Sequence, residues 1–283
     1  MTDQTNTLLI LGLGYTARLI ASKAQQAGFV VVGTARTPSP ADKDVLRFDD
    51  TVAVAAAINS ATHILSSVPP APDHDPVLSL YGDAIKSSTA KWVGYLSTTG
   101  VYGNTDGAWV DETSPCAPSS PRAARRVRDE QAWADHTGDR LTTFRIAGIY
   151  GPGRSPLDQL TADTARRIDK PGHAFGRIHV EDIANAVVTA MQQRAHNIYN
   201  LCDDEPAAPA DVTAFAADLL GITPPPLVAY GEANLSDMAK TFWMDNRRVR
   251  NDRLKNLIGG TLLYPTYREG LIALSRQAAP QQS

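Results

Sequence analysis

The segment GLGYTA at residues 12–17 has the GxGxxG/A spacing of turns that bring a backbone close to a phosphate. Gly12 permits a tight turn, Gly14 leaves room for a pyrophosphate, and the small residue that ends the segment lets a helix pack on a strand. Tyr15 and Thr16 then begin a helix whose free N–H groups and positive dipole end attract phosphates. The pattern predicts a nucleotide-binding turn, although alone it also fits an ordinary connection between a strand and a helix.

Arg36 follows the second predicted strand and lies 22 residues after Gly14. A site for NAD has Asp or Glu at about this distance, to bind the 2′-hydroxyl of the ribose. Arginine instead offers a planar fork of N–H donors that suits a 2′-phosphate. We therefore predict NADP as the cofactor, with NAD less favoured; an exposed arginine without a ligand is the alternative for Arg36. Asp49, after the third predicted strand, is expected at the adenine, or else caps a loop.

Alternating strands and helices must position these residues. Over about the first 150 residues, short apolar runs alternate with segments of helical periodicity, which is typical of a doubly wound parallel sheet. The strands are predicted at Thr7–Leu11, Phe29–Thr34, Val45–Phe48, Thr62–Val68, Lys91–Ser97 and Leu141–Ile146. Ser67 and Val68 stand at the C-terminal end of the fourth strand, where such sheets bind nucleotides. We expect both residues to line the nucleotide crevice.

After Ile149 the alternation of strands and helices loosens. Helices are predicted at Pro156–Ile168, Val180–Gln193, Pro209–Leu220 and Arg268–Arg276, with short extended pieces between them. We predict an α/β protein in which residues 1–150 form an NADP-binding domain and residues 151–283 form mainly a smaller substrate lobe. A segment at about 179–202 is expected to return to the first domain.

The composition excludes several classes of protein. The chain has 283 residues and a formal net charge of −3, so its charge does not favour nucleic acid or an anionic membrane as a partner. It has neither an apolar run of ~20 residues nor a signal-peptide pattern, and two lone cysteines indicate a reducing compartment. Asp73, His74 and Asp75 are neighbours without the spacing of a metal site. We therefore expect a cytoplasmic protein with a small-molecule substrate and no bound metal.

Four later segments carry motifs beyond the glycine turn. They are STTGVYG at 97–103, RIAGIYGPG at 145–153, HVEDIA at 179–184 and IYNL at 198–201. In this order they resemble motifs of the extended short-chain dehydrogenases/reductases, which include the NAD(P)-dependent epimerase/dehydratase family, and the YeeZ-like nucleoside-diphosphate-sugar epimerases in particular. The resemblance implies a Rossmann-type doubly wound sheet with a smaller α/β C-terminal lobe, an NAD(P) cofactor and a cofactor contact at Gly148.

The resemblance also implies where catalysis takes place, and there the chain departs from the family. The family uses a Ser or Thr, a Tyr and a Lys; the Tyr transfers a proton while a hydride moves to or from the nicotinamide. Thr98 stands at the Ser/Thr position, and Glu130 at an acidic position that follows the Lys. Counting back from Glu130 places Arg126 at the Lys and Arg122 at the Tyr. Since arginine keeps its proton up to a pH of about 12, Arg122 is a poor proton shuttle, whereas Arg126 can still bind the nicotinamide ribose.

Arg122 and Arg126 are four residues apart on one predicted helix, so both could face the cleft and bind an anionic substrate. A solvated basic helix is the alternative. Tyr102, Tyr150 and His179 are other candidates for the proton donor, but residues in their motifs more often serve packing.

Two functions of different classes fit these observations. The first is an NAD(P)-dependent oxidoreductase, epimerase or dehydratase that acts on a small or sugar-nucleotide substrate, as a monomer or a homodimer. The second is a catalytically inactive NADP-binding sensor or regulator, for which an intact glycine turn and an altered YxxxK motif are the expected combination.

Overall fold

The computed structural model describes residues 6–39 and 42–278. Its strands are β1 Thr7–Leu11, β2 Val30–Ala35, β3 Val45–Arg47, β4 His63–Ser66, β5 Trp92–Thr98, β6 Trp109–Val110, β7 Leu141–Ile146, β8 Gly148–Tyr150, β9 Arg167–Asp169, β10 Arg177–His179, β11 Ile198–Leu201, β12 Leu227–Ala229 and β13 Arg248–Val249. Its α-helices are α1 Tyr15–Gln26, α2 Thr51–Ser60, α3 Pro76–Ser87, α4 Pro121–Thr137, α5 Pro156–Thr161, α6 Val180–Gln193, α7 Pro209–Leu219, α8 Asp237–Met244, α9 Asp252–Ile258 and α10 Tyr267–Ala278.

Seven strands form a sheet in the order β11-β7-β5-β4-β1-β2-β3. β1 pairs in parallel with β2 and β4, β2 pairs in parallel with β3, and β4 with β5. β1 is apolar along its length because both of its faces are covered, and Leu8 to Leu11 are fully buried. The strand order reverses direction at β1, as in a Rossmann-type doubly wound sheet, and it confirms the predicted fold.

Helix α4, which carries both arginines of the altered motif, is held in place by contacts with β5 and with the residue that precedes α3. Trp133 of this helix is fully buried in the same apolar cluster as Tyr95 of β5. The indole N–H of Trp133 donates to Asp75 Oδ2 at 3.0 Å. Asp75 Oδ1 accepts hydrogen bonds from the first turn of α3. The position of α4 therefore depends on both packing and hydrogen bonding, which hold its arginines at a defined height along β5.

The chain forms two compact units, each of which takes its described residues from separate segments. The first unit falls within Met1–Val101, Pro121–Arg145 and Ile183–Tyr199, and the second within Tyr102–Ser120, Ile146–Asp182 and Asn200–Ser283. The sequence predicted one boundary after residue 150 with a later return to the first domain, so the placement of 102–120 in the second unit is a difference. Its physical reason is that β6 in this loop pairs in parallel with β13.

The second unit contains three parallel strand pairs, β8 with β10, β9 with β12 and β6 with β13. Its apolar cluster includes Tyr150, Leu157, Val212, Tyr267 and Leu271, from β8 and from three helices. Each pair is only two or three residues long, so these strands depend on side-chain packing more than on an extended ladder.

The predicted helix Pro156–Ile168 is wrong in its second half. Helix α5 ends at Thr161, and Asp163 has a left-handed backbone with a φ of 53°. That conformation interrupts the helix, and the chain continues into β9, which pairs with β12. Periodicity alone did not separate a short helix followed by a strand from one longer helix.

Candidate functional site

The glycine turn is tied to two neighbouring strands. The N–H of Gly12 donates to Thr34 Oγ1 of β2 at 3.0 Å, and its carbonyl accepts from Ser67 Oγ, just beyond β4, at 2.6 Å. Gly12 has a φ of +92°, and a Cβ at this position would lie 2.9 Å from Val68 Cγ2. Ser67 and Val68 therefore hold and shape the turn, and only glycine fits at its first position.

The outer side of the same turn is open. Gly14 caps α1 without a side-chain hydrogen bond, and a Cβ built on Gly14 would meet nothing within 4 Å in the described structure. Tyr15 is exposed, whereas Thr16 is buried beneath the helix. Because the first N–H groups of a helix have no partners inside it, this open side fits the pyrophosphate of a dinucleotide.

Arg36 directly follows β2 and is exposed. Within the part of the chain that the structure describes, its guanidinium forms no ion pair or hydrogen bond. The register pairs Ala35 of β2 with Arg47 of β3, so a second arginine stands at the same edge of the sheet. Sequence reasoning missed Arg47, because only strand pairing brings it beside Arg36.

Asp49, predicted at the adenine, is bound to Arg47. Arg47 donates to its two carboxylate oxygens at 3.0 and 2.7 Å, and this hydrogen bonding holds the pKa of the exposed Asp49 carboxyl below its usual value. The pair neutralises the one carboxylate that follows β3 most closely. An adenine contact of Asp49 stays a prediction.

Thr98 is the last residue of β5 and is half-buried. Its Oγ1 accepts a hydrogen bond from the N–H of Gly100 at 3.1 Å, which begins the 3₁₀ turn Thr99–Tyr102. A hydroxyl that accepts a backbone hydrogen bond keeps its own hydrogen available to donate. The structure thus fixes the hydroxyl and leaves it a donor for a substrate oxygen.

Arg126 contacts β5 just before Thr98. Its Nη1 donates to the hydroxyl of Tyr95 and to the carbonyl of Leu96, both at 2.9 Å. The guanidinium lies 5.6 Å from the centre of the Tyr95 ring. Burial raises the pKa of Tyr95 although the arginine opposes the shift, so this hydroxyl stays protonated and accepts from Arg126. Tyr95 was not predicted, since it reads as one more apolar residue of a buried strand.

Glu130, one turn further along α4, has a structural role. It accepts from Ser97 Oγ at 2.5 Å, and Arg145 of β7 donates to it at 2.7 Å. The Arg145 and Glu130 side chains are 6% and 10% exposed. The acidic position of the motif therefore joins α4 to β5 and β7 and positions Arg126.

Arg122 differs from Arg126 although both stand on α4. It is exposed, and within the described ranges of the chain it has no hydrogen bond or ion pair. Arg126 is held against β5, whereas Arg122 is open to a ligand. A clamp that uses both arginines on one substrate stays a hypothesis.

The three other candidates for a proton donor are held by packing. The Tyr102 hydroxyl donates to Asn200 Oδ1 at 2.8 Å, and both residues are buried. Tyr150 is buried against His179, with ring centres 5.1 Å apart. Burial raises the pKa of Tyr150 and lowers that of His179 to about 4. Tyr150 and His179 are therefore poorly suited to exchange a proton at neutral pH, and the Tyr102 hydroxyl is already engaged with Asn200.

Gly148, predicted at the cofactor, lies on β8 in the second unit. Its N–H donates to the carbonyl of Gly176 at 3.1 Å, and the residue is part of the wall of a cavity within that unit. Its contact with a cofactor stays a prediction.

The described residues contain neither a cluster suited to a metal ion nor a helix suited to a membrane. No group of three or more His, Cys, Asp or Glu side chains in these ranges is arranged to hold a metal ion. No helix described here combines the length and the apolar character needed to cross a membrane.

A Rossmann-type sheet with an open glycine turn at its strand ends defines a class of dinucleotide-binding proteins. The sequence profile of the NAD dependent epimerase/dehydratase family matches residues 82–202. Residues 82–202 run from within α3 to just after β11, and this part of the chain is similar to the family.

Individual relatives extend over most of the chain. A solved structure of a conserved protein of unknown function from Silicibacter pomeroyi is 44% identical, with a TM-score of 0.87 over 97% of this chain and 99% of that one. Protein YeeZ from Escherichia coli is 26% identical over 265 residues, which are 86% of this chain and 92% of YeeZ. A 3-diazoavenalumate denitrifying reductase from a Streptomyces species is 29% identical over 171 residues, 58% of this chain and 55% of the reductase.

Proposed function

We propose that this protein is an NADP-dependent oxidoreductase that acts on a small anionic substrate. The observation that carries the proposal is the exposed guanidinium of Arg36, which has no partner in the described chain and follows β2 beside the open glycine turn. The family is named for its dependence on NAD, so the choice of NADP rests on the residues of this chain. A reductase among the relatives supports a redox reaction.

The preference for NADP rests on charge at the end of β2. No carboxylate occupies that position, and Asp49, which follows β3, is paired with Arg47. Asp50, the next residue, accepts a hydrogen bond from the N–H of Ala53 as the N-cap of α2. Arg36 is therefore the charged group that a 2′-phosphate would meet at the end of β2. Arginine binds phosphate through paired, charge-assisted hydrogen bonds, which are about twice as strong as neutral ones.

When bound, the reduced cofactor NADPH would supply a hydride from its nicotinamide. The residues of the chain bind and orient the reactants: Thr98 donates a hydrogen bond to the reacting oxygen, and Arg126 binds the nicotinamide ribose. Arg122 attracts the anionic group of the substrate. Because an arginine keeps its proton at neutral pH, the proton that completes the reduction comes from water, which leaves as hydroxide, while Thr98 Oγ1 stays hydrogen-bonded to the reduced oxygen.

A second candidate function is an inactive NADP-binding sensor. Arg122 replaces the tyrosine that moves the proton in the family, and Tyr102, Tyr150 and His179 are held by packing, which favours this alternative. Both candidates bind NADP, so turnover separates them. Cys116 and Cys202 form no disulfide in the described structure, which supports a cytoplasmic location.

Cofactor choice is tested by calorimetric titration of NADP and NAD into wild type, Arg36→Ala and Arg194→Ala. We expect wild type to prefer NADP by tenfold or more and Arg36→Ala to lose that preference. Arg194 is a matched control because it is also exposed. Its charge lowers the pKa of His63, the first residue of β4, so Arg194 lies towards the N-terminal ends of the strands, whereas Arg36 lies at the C-terminal end of β2. Equal or tighter binding of NAD by wild type would refute the NADP proposal.

Catalysis is tested by hydride transfer from C4-deuterated NADPH to a panel of aldehydes and ketones that carry carboxylate or phosphate. We expect deuterium in one product class, a large loss of kcat in Thr98→Val and partial retention in Thr98→Ser. NADPH binding without deuterium transfer to any member of the panel would favour the sensor.

A further inference from the structure

The second unit contains a cavity of about 530 Å3. Its walls come from β8, the loop and helix that follow it, β10, and the first turns of α7 and α10. Small-molecule sites in proteins have volumes of about 300–1,000 Å3 and combine apolar walls with a few polar groups. The size of the cavity therefore permits a small organic ligand.

Positive charge dominates the lining of this cavity. Arg154, Arg166 and Arg177 all line it, and the acidic residue among the described lining is Asp158. Asp158 Oδ2 accepts hydrogen bonds from the N–H and the hydroxyl of Ser155 at 2.7 and 2.6 Å, in the capping box of α5. Three guanidiniums thus face one carboxylate that already has a structural role.

Arg177 is the most constrained of the three arginines. Its Nη1 donates to the carbonyls of Phe175 and Ala207, at 2.9 and 3.0 Å. Among the described contacts these two involve Nη1 alone, which leaves Nε and Nη2 for a ligand. Burial lowers the pKa of this guanidinium, because a charge removed from water is less stable. An anion in the cavity would return the electrostatic stabilisation that Arg177 has lost.

Asp203 is the acid whose charge acts most strongly on Arg177. Asp203 is 2% exposed, and neither of its carboxylate oxygens has a hydrogen-bond partner in the described structure. Burial raises the pKa of Asp203, although Arg177 opposes the shift. Asp203 does not appear among the described lining residues, so the wall of the cavity itself presents three guanidiniums and one carboxylate.

Apolar groups form the remaining walls. Pro209 and Val212 of α7 lie in the lining, as do Tyr267 and Leu271 of α10. Inorganic ions would leave these surfaces in contact with water. A ligand that joins a charged group to an apolar body would cover them and meet the arginines at once.

We propose that this cavity, the arginine cavity lined by Arg154, Arg166 and Arg177, binds an organic anion that carries a carboxylate or phosphate on an apolar body. Arg177 is the fixed contact, and the exposed Arg154 and Arg166 close on the anion from outside. The proposal does not rest on the redox reaction, and its test is made without NADP.

The test is isothermal titration of the full-length protein, without NADP, with benzoate, phenyl phosphate and the neutral benzyl alcohol. The charged probes separate carboxylate from phosphate on the same ring, and the alcohol reports the apolar contribution. We expect at least one charged probe to bind about tenfold or more tightly than benzyl alcohol and to weaken as salt is raised. Equal affinity for the alcohol, or no binding of either anion, would overturn the proposal.

Variants locate the bound anion. We expect Arg177→Met, Arg154→Gln and Arg166→Gln each to weaken the charged probe by about tenfold, the loss of one charge-assisted contact. Arg276→Gln is the matched control, because Arg276 is exposed on α10 and does not line the cavity. Should Arg177→Met fail to fold, the two exposed positions decide the question.

One more variant tests whether the charged probe binds at the nucleotide turn and not in the cavity. Arg36→Ala should bind the charged probe as wild type does. If Arg36→Ala abolishes probe binding while the three cavity variants retain it, the anion binds in the first unit and the cavity proposal is wrong. That result would leave the NADP proposal intact, and failure of NADP binding would leave the cavity proposal intact.

Discussion

The two units form their sites from different parts of the chain. The first unit presents a glycine turn, helix N–H groups and the ends of parallel strands, so most of its candidate cofactor contacts come from the backbone. The second unit presents guanidiniums and aromatic rings around a cavity, so its candidate contacts come from side chains. A site made from backbone requires particular glycines at particular spacings, whereas a site made from side chains places few demands on the sequence around it.

The two units also differ in how exposed their ion pairs are. In the first unit the ion pair of Arg145 and Glu130 is almost completely buried, with side chains 6% and 10% exposed. In the second unit Arg268 and Glu205 form their pair at the surface, with side chains 47% and 32% exposed. Buried pairs fix helices to sheets, and surface pairs contribute little.

The largest expected effect is at Glu130. Glu130→Gln removes the charge that pairs with the buried Arg145, and the free energy of unfolding should fall by about 3 kcal/mol or more. Glu205→Gln is the matched variant in the second unit and should change it by less than about 1 kcal/mol. Urea denaturation of both variants measures the difference. Similar losses in the two would show that the units do not differ in this respect.

Acid should destabilise both units through buried histidines. Burial lowers the pKa of His63 in the first unit, and of His173 and His179 in the second, from 6.5 to about 4. As the pH falls below 6.5 the unfolded chain takes up protons before the folded one. The contribution of these histidines to stability is therefore complete above pH 6.5 and decreases down to about pH 4, by at most about 1.4 kcal/mol per pH unit and histidine.

Single substitutions assign this acid sensitivity to a unit. His63→Phe and His179→Phe should each reduce the loss of stability between pH 7 and pH 5, measured by urea denaturation. His74→Gln removes an exposed histidine and is the control. A loss that increases in the phenylalanine variants would contradict the assignment.

The glycine turn should be sensitive to a single methyl group. Gly12→Ala introduces a Cβ 2.9 Å from Val68 Cγ2 at a positive φ. We expect the free energy of unfolding to fall by about 2 kcal/mol and NADP to bind more weakly as well. Gly28 has a φ of +87° but open space around it, so Gly28→Ala should lower the free energy of unfolding and leave NADP affinity unchanged. Calorimetry and thermal denaturation separate the two effects. Retained NADP affinity in Gly12→Ala would show that the turn does not bind the cofactor.

The smallest expected effect concerns tyrosine hydroxyls. Tyr95→Phe removes an acceptor of Arg126, and we expect a loss of about 1 kcal/mol, seen as a severalfold higher KM for NADPH with little change in kcat. Tyr150 in the second unit makes only a long hydrogen bond, 3.5 Å to the carbonyl of Thr266, and Tyr150→Phe should leave the KM for NADPH unchanged. Equal effects would mean that Tyr95 does not position Arg126.

Most of the first unit could be predicted from the sequence, because fully buried parallel strands are continuous apolar runs. The predicted strands Thr7–Leu11 and Leu141–Ile146 and the predicted helix Val180–Gln193 have the observed bounds. In the second unit β8 and β10 were not predicted, since three residues carry no periodicity. Helices α8 and α9 were not predicted either, and the helix from Pro156 was extended too far.

The same difference holds for the candidate residues. Gly12, Arg36 and Thr98 follow from spacing along the chain, and the structure places all three directly after, or at the end of, parallel strands. Arg47 and Tyr95 depend on which strand or helix lies beside them, which no local pattern records. The arginine cavity joins β8, β10, α7 and α10, so its charge becomes visible only when distant segments are brought together.

The interleaving of the two units has a consequence for synthesis on the ribosome. The first unit includes residues up to Tyr199, and the second already includes the loop that begins at Tyr102. Neither unit can be complete when its first segment leaves the exit tunnel, and the early strands must wait for partners made much later. A truncated transcript that stops after the nucleotide motif would yield an unfinished sheet rather than a smaller working protein.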